Sequence, residues 1–197
     1  MSEFFQNDNI LIEKAQQGDK AALNELIRKY QDRAYQYAFR LTRNQDEACD
    51  VVADSFVRIN NAIKNFKGNS AFSTWLYRIV TNCYLDARKK DKSRFNVSID
   101  ATVTHGEDEI TREIEDVGNT PAEHAERNQR EVMLHKALAK LPEFQKAMII
   151  MFHAEQQSYE DIAEALDLPL GTVKSRLNRA RISLREILSE NEELFKV

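Results

Sequence analysis

An all-α fold, two small helical domains joined by an acidic flexible linker, is predicted by three features of this 197-residue chain. Turn formers are scarce: 5 Gly and 3 Pro are too few for the many tight connections of a β fold. Apolar residues recur at three- and four-residue steps, the spacing that lines one face of a helix. Between the two stretches with this period lies one without it, residues 95–126, where nine acids stand against the single base Arg112.

Residues 1–94 read as helices. The first stripe is Leu23, Leu26, Ile27, Tyr30, Ala34, Ala38 and Leu41, ended by the polar, turn-prone "RNQDE". The second is Ala48, Val51, Val52, Ser55, Ile59, Ile63 and Phe66. "KGNS" breaks it, with Gly68 as an expected helix C-cap and Ser70 or Ser73 as an expected N-cap of the next helix. That third helix buries Phe72, Leu76, Ile79, Val80 and Cys83 and leaves Thr74, Arg78, Thr81, Asn82, Arg88 and Lys89 elsewhere on its surface. On the helical pattern alone, Trp75 and Tyr77 fit a core as well as a platform on which unpaired bases stack beside cations.

Helical signal resumes near Pro121, runs through "LHKALAKL", is interrupted at Pro142 and restarts with "EFQKAMIIMFHAEQ". Ser158 with Asp161 forms a capping-box pattern before a short helix from Tyr159 to Leu166 that buries Ile162, Ala163 and Leu166. The connection "DLPLGT" places Pro169 near the start of the last helix, where its missing N–H costs least. Val173, Leu177, Ala180, Leu184 and Ile187 form the inner face of that helix; Lys174, Ser175, Arg176, Asn178, Arg179 and Arg181 occupy the others. Two helices on a tight turn, the second cationic, make a helix-turn-helix, whose second helix fits the major groove of DNA.

Charge and chemistry narrow the function. The chain is −4, but residues 95–126 alone are −8, which leaves +4 for the remainder. Local charge, not the total, governs phosphate binding. Cys49 and Cys83 lie far apart and read as ordinary thiols of a reducing cytoplasm. The four histidines show no metal-ligand spacing, so no metal is expected. Neither a Gly-rich phosphate loop nor a Ser/His/Asp set is present, which argues against an enzyme and against any cofactor. The N-terminus has no charged start followed by an apolar run, and no stretch approaches the ~18 apolar residues of a membrane span.

Three strings, "DEACDVVADSFVRI", "FSTWLYRIVTNCYLDARKK" and "LPEFQKAMIIMFHAEQQSYEDIAEALDLPLGTVKSRLNRAR", together resemble a bacterial RNA polymerase sigma factor of the extracytoplasmic-function (ECF) type. The resemblance covers nearly the whole chain outside the acidic stretch. It implies sigma region 2 over residues 1–94, a linker over 95–126 and sigma region 4 over 127–197. It also implies a cytoplasmic, non-catalytic subunit that brings RNA polymerase core to promoters and helps to open the DNA, often in the service of a stress response.

By matching positions, Asp46, Asp50, Asp54 and Phe56 look like the segment that docks the β′ clamp helices, with Ala53 where the family usually has Gln. Region 4 is expected on the β flap. Asn69, Ser70 and Phe72 are expected to shape a pocket for a melted base of the −10 element, with Trp75, Arg78, Asn82 and Arg88 along the path of the strand. Thr172, Lys174, Ser175, Arg176 and Arg179 match the face that reads the −35 element. The implied partners are polymerase core, promoter DNA and an anti-sigma factor. The acidic linker suits the basic interior of polymerase as well as a solvated tether. The rival reading is a free-standing DNA-binding regulator with a sensing or dimerising N-terminal domain; it accounts for the helix-turn-helix but gives no reason for "TWLYRI".

Overall fold

A computed structural model describes residues 2–97 and 121–189, and every regular element among them is helical. The elements are α1 (Ser2–Gln16), α2 (Lys20–Thr42), α3 (Gln45–Ala62), a 3-10 turn (Ile63–Asn65), α4 (Phe72–Val97), α5 (Pro121–Lys140), α6 (Glu143–His153), α7 (Tyr159–Leu166) and α8 (Leu170–Ser189). Most of the acidic stretch, residues 98–120, lies outside the described residues, as do the side chains of Lys92 and Arg94, the last two of the basic cluster Arg88, Lys89, Lys90, Lys92 and Arg94.

Local chemistry fixes most boundaries. Asp19 caps α2 by accepting the backbone N–H groups of Ala21 at 2.8 Å and Ala22 at 3.2 Å. Arg43, at φ 57°, closes α2 in the left-handed conformation, and Asn44 caps α3 by accepting from the Glu47 N–H at 3.0 Å. The expected capping box forms: the Asp161 N–H donates to Ser158 Oγ at 3.0 Å, and the Ser158 N–H returns to Asp161 Oδ2 at 3.2 Å. Two expected caps are corrected. α3 passes into the 3-10 turn, so Gly68 is no helix cap; it takes φ +67° inside the following loop. α4 starts at Phe72, so Ala71, not Ser70 or Ser73, stands at its N-cap position and accepts the Trp75 N–H at 3.2 Å.

α1 has no marker in the sequence, because Leu11, Ile12 and Ala15 are too few to show a period. These three form the face that joins the core. From α2 to α4 the expected stripes are the buried ones: Leu26, Ala34, Ala38, Leu41, Ala48, Ile59, Leu76 and Val80 are all fully inaccessible. Tyr37 and Tyr77 join them ring edge to ring face at 4.9 Å, which places Tyr77 in the core.

An aromatic cluster seats the loop that precedes α4. Phe72 packs on Tyr30 at 4.9 Å, Trp75 at 5.6 Å and Phe66 at 6.1 Å between ring centres. Phe66 and Trp75 are 4.8 Å apart. Phe72 is only 4% exposed. It therefore supports the loop from beneath, and a base could meet it only if the loop moved. Trp75 is half-buried.

The two halves share one continuous core, with α4 packed on both α6 and α7 and α2 packed on α6. Around this apolar joint runs a set of polar contacts. The buried Glu155 carboxylate accepts from Arg40 through Oε1 and from the Tyr77 hydroxyl through Oε2 at 2.7 Å. Tyr84 donates to Glu143, Lys146 Nζ lies 3.2 Å from the Tyr84 hydroxyl, and Thr74 Oγ1 donates to Asp161 Oδ1 at 3.2 Å. Lys146 is 6% exposed. Burial pulls its ammonium below the usual lysine range, against the opposing pull of Glu143.

Two outcomes follow from this packing. Glu155→Ala leaves Arg40 and the Tyr77 hydroxyl unpaired and should weaken the joint by roughly 1–3 kcal/mol, the lower part of the range for losing a buried partner because Arg40 is partly solvated. Interdomain fluorescence transfer should then report a wider mean separation; an unchanged separation would show that apolar contact alone holds the joint. Phe72→Ala should cost about 3–5 kcal/mol in urea unfolding as a core truncation, whereas Asn69→Ala on the exposed loop should stay within about 0.5 kcal/mol.

Candidate nucleic-acid and polymerase interfaces

Three surfaces carry the expected site residues. The first is the solvent side of α3. Asp46, Asp50 and Asp54 are four residues apart and all exposed, so they form one acidic ridge. Phe56 does not join it: it turns about 120° away on a helix of 3.6 residues per turn and is half-buried against the core. Val57 takes its place. It lies three residues beyond Asp54, is 60% exposed and puts an apolar residue at the C-terminal end of the ridge. The helical spacing from Asp50 and Asp54 is the signal that marks it.

The second surface is the loop 67–71 with the outer face of α4. Asn69 is exposed at the loop tip and Ser70 is half-buried. Trp75, Arg78 and Asn82 follow at three-, four- and seven-residue steps on one face of α4, and the exposed Lys89 continues it seven residues after Asn82. Arg88 is turned about 100° off this face. Its guanidinium lies over the Tyr84 ring at 5.4 Å and donates to Glu47 Oε2 at 2.7 Å, so in this arrangement it ties α4 to α3. Lys89, in the same basic cluster, is the cation that the helical period places beside Asn82. The start of the face leans on the other half: Arg78 is 3.9 Å from Asp167, and Thr74 is held by Asp161.

The third surface is α8. Val173, Leu177 and Ala180 are fully buried, which aims the opposite side at solvent. Ser175, Asn178 and Arg179 point most directly outward, and Lys174 and Arg176 flank them; all five are exposed. Asn178 thus belongs with the reading face, three residues after Ser175. The flanking cations are propped on aromatic rings: Lys174 Nζ is 5.9 Å from the centre of Tyr159, and the Arg176 guanidinium 5.3 Å from that of Phe144. Thr172 is half-buried at the turn, and its carbonyl accepts from Ser175 Oγ at 3.0 Å. Arg181 is committed inward, stacked on Phe152 at 4.6 Å and donating to His153 Nε2 at 3.3 Å. Its charge and the partial burial lower the pKa of His153, burial having the larger effect. Arg179 makes no polar contact among the described residues, so its forked guanidinium is free to take both acceptors of a guanine edge.

An acidic ridge with an apolar end suits a basic protein surface. A half-exposed Trp beside Arg, Asn and Lys suits unpaired bases and their phosphates, and a cationic helix behind a tight turn suits the major groove. No group of His, Cys, Asp and Glu among the described residues is arranged to hold a metal, and no described helix is long and apolar enough to cross a membrane.

Comparison with known proteins agrees with this division of labour. Residues 26–94 match the family Sigma-70 region 2, and residues 131–184 match Sigma-70, region 4. The RNA polymerase sigma-H factor of Pseudomonas aeruginosa is 34% identical over 93% of this chain and 94% of its own length. The ECF RNA polymerase sigma-E factor of Haemophilus influenzae is 37% identical, covering 88% and 91% respectively, and SigW of Bacillus subtilis, another ECF sigma factor, is 31% identical, covering 91% and 95%. Among solved structures, the sigma factor RpoE of Bartonella quintana, co-crystallised with the anti-sigma factor NepR, aligns with a TM-score of 0.63 at 24% identity, covering 84% of this chain and 96% of that one. CnrH, solved in complex with the cytosolic domain of CnrY, aligns at 0.61 with 22% identity, covering 93% and 98%, so the fold is shared. The chain belongs to the ECF sigma factors of bacterial RNA polymerase, the subunits that direct promoter-specific initiation of transcription.

Proposed function

We infer that this sigma factor works by three separate attachments: α3 to the β′ clamp helices of polymerase core, the 67–71 loop and α4 to the melted −10 strand, and α8 to the −35 duplex. The α3 ridge carries the reading, because a free-standing DNA-binding regulator has no use for three exposed carboxylates in line with an exposed valine. Region 4, residues 127–197, also rests on the β flap, and region 2 occupies residues 1–94. The strand follows Asn69, Ser70, Trp75, Arg78, Asn82 and Lys89, with Phe72 and Arg88 in supporting roles beneath and beside it. Thr172, Lys174, Ser175, Arg176 and Arg179 hold the upstream duplex together with Asn178. The factor acts in the cytoplasm without catalysis of its own. Binding at several points offsets the few kcal/mol needed to unstack a base.

The packed halves set a condition on this action. Elements centred near −10 and −35 are separated by about 85 Å of B-form DNA at 3.4 Å per base pair. Here α4 leans on α7, and Arg78 and Thr74 face the second half. The halves must therefore part before both elements are read. This closed form is the natural substrate for an anti-sigma partner such as the one that accompanies the Bartonella quintana factor. The acidic segment 95–126 is then drawn to basic polymerase surfaces by its charge.

Two measurements test the assignment. Asp50→Lys combined with Asp54→Lys should abolish co-purification with polymerase core while leaving the unfolding midpoint unchanged; persistent co-purification would remove α3 from the docking role. In run-off transcription with purified core, Arg179→Ala should cost ~1–3 kcal/mol of discrimination at a single upstream base pair. A fall in affinity that is uniform across upstream sequences would make Arg179 a phosphate contact only.

A further inference from the structure

α1 lies outside the residues that match the family, which start at residue 26, yet two of its polar side chains converge on the seat of the −10 loop. Gln16, at the end of α1, donates through Nε2 to two backbone carbonyls: Phe66 O at 2.7 Å and Ile63 O at 3.2 Å. These carbonyls belong to the 3-10 turn and the residue that closes it. Phe66 is the last residue before the exposed stretch Lys67, Gly68 and Asn69. Its ring is also the one that packs on both Trp75 and Phe72. About two turns earlier on α1, the buried Asp8 accepts from Lys29 Nζ at 2.5 Å and from the Tyr30 hydroxyl at 2.6 Å. Tyr30 in turn packs on Phe72. The aromatic cluster is thus clamped from two sides by one helix.

The bond pattern explains why a side-chain amide stands at position 16. Phe66 O has no further N–H group of the turn to meet, because the chain leaves helical geometry there, whereas Ile63 O already accepts the Phe66 N–H at 3.1 Å and takes Gln16 as a second donor. An amide presents two N–H donors on one nitrogen, enough for both carbonyls at once. Fixing Phe66 O fixes the backbone from which the loop departs. Gly68, at φ +67°, then sets the direction of the tip that carries Asn69.

We propose that Gln16 is a positioning residue for promoter recognition: through the carbonyls of Ile63 and Phe66, α1 holds the 67–71 loop in the register that presents Asn69 and Ser70 to a melted base. This inference rests on the reading of that loop as the −10 reader. It makes α1 part of the reading device of region 2, and it makes base selectivity depend on a residue that touches no nucleic acid.

The test uses holoenzyme, formed from core polymerase and the full chain, and short single-stranded oligonucleotides. A randomised pool is selected on wild-type holoenzyme, and discrimination is the affinity ratio between the selected sequence and the same sequence with one base changed. Gln16→Ala removes both donors, and Gln16→Glu sets a carboxylate of the same shape against two carbonyls. Both should lower discrimination about tenfold, the worth of one or two hydrogen bonds, with Glu the worse. The dependence of oligonucleotide affinity on salt should not change, since no phosphate contact is lost. Affinity for a −35 duplex should stay at the wild-type value, and the thermal midpoint should fall by no more than the few degrees that one or two lost hydrogen bonds cost.

Wild-type discrimination in both variants overturns the proposal. So does a loss that appears equally at the −35 duplex and in the thermal midpoint. Asn69→Ala separates the two levels of the argument. If it loses discrimination while the Gln16 variants keep it, the loop reads the strand and only the role of Gln16 falls. If Asn69→Ala also keeps it, the loop is not the reader, and both the strand assignment and this inference fall.

Discussion

The demand that α4 be core on several sides and face solvent on one shapes the whole molecule. Its Leu76, Val80 and Thr81 are fully buried, and Tyr77 and Tyr84 nearly so, because α2 and α3 cover it on one side and α6 and α7 on another. The strip that remains is narrow, and only a period of 3.6 residues keeps Trp75, Arg78, Asn82 and Lys89 in line along it. α2 and α3 hold α4 through apolar contact, and Thr81 closes the interior by meeting the Tyr37 hydroxyl at 2.7 Å. A solvent face built on so well packed a helix presents its side chains at fixed spacing, which the proposed discrimination between bases requires.

The contact between the halves has a different composition from the interior of either half. Much of its periphery is carboxylates meeting hydroxyls and guanidinium: Glu155 with Arg40 and Tyr77, Glu143 with Tyr84, Asp161 with Thr74. Such groups are well satisfied while closed and equally well satisfied by water when parted, so their net contribution is modest compared with their number. A joint of this kind holds a single closed form and still yields to a partner that binds the open one, as a two-state element must. Interior packing of the Leu26 or Leu76 type does not yield in this way, because parting it returns apolar area to water.

Much of this was legible in the sequence. The stripes of α2, α3, α4 and α8 follow from their spacing, and the Ser158–Asp161 capping box forms as its pattern implies. The all-helical class and the family rest on the same residues. What was not legible is instructive. α1 hides because three apolar residues do not make a period, and its polar anchors, Asp8 and Gln16, act on partners 21 to 50 residues away. For Phe72 the helical period implies burial and the family resemblance a place in a pocket; it is buried, and what the sequence does not show is that the rings around it come from three different segments. Arg88 and Phe56 were assigned by position in a motif, while helical phase turns both of them away and favours Lys89 and Val57. The packing of one half on the other leaves no periodic trace at all, since its residues are scattered over α2, α4, α6 and α7.

Lys146 gives the joint a chemical sensitivity. Its ammonium sits 3.8 Å from Glu143 and 5.5 Å from the centre of the Tyr84 ring, with Arg88, Glu47 and Arg43 also in its field. Closed, it holds its proton less tightly than a solvated lysine, because burial disfavours the ammonium. Below the lowered pKa both forms keep the proton, and closing carries the full desolvation cost. As pH rises from there towards the ordinary lysine value, the closed form sheds the proton first and gains stability relative to the open one. Closing therefore releases protons in that window, and calorimetry in buffers of different ionisation enthalpy would register the movement of two halves of a transcription factor as a transfer of hydrogen ions.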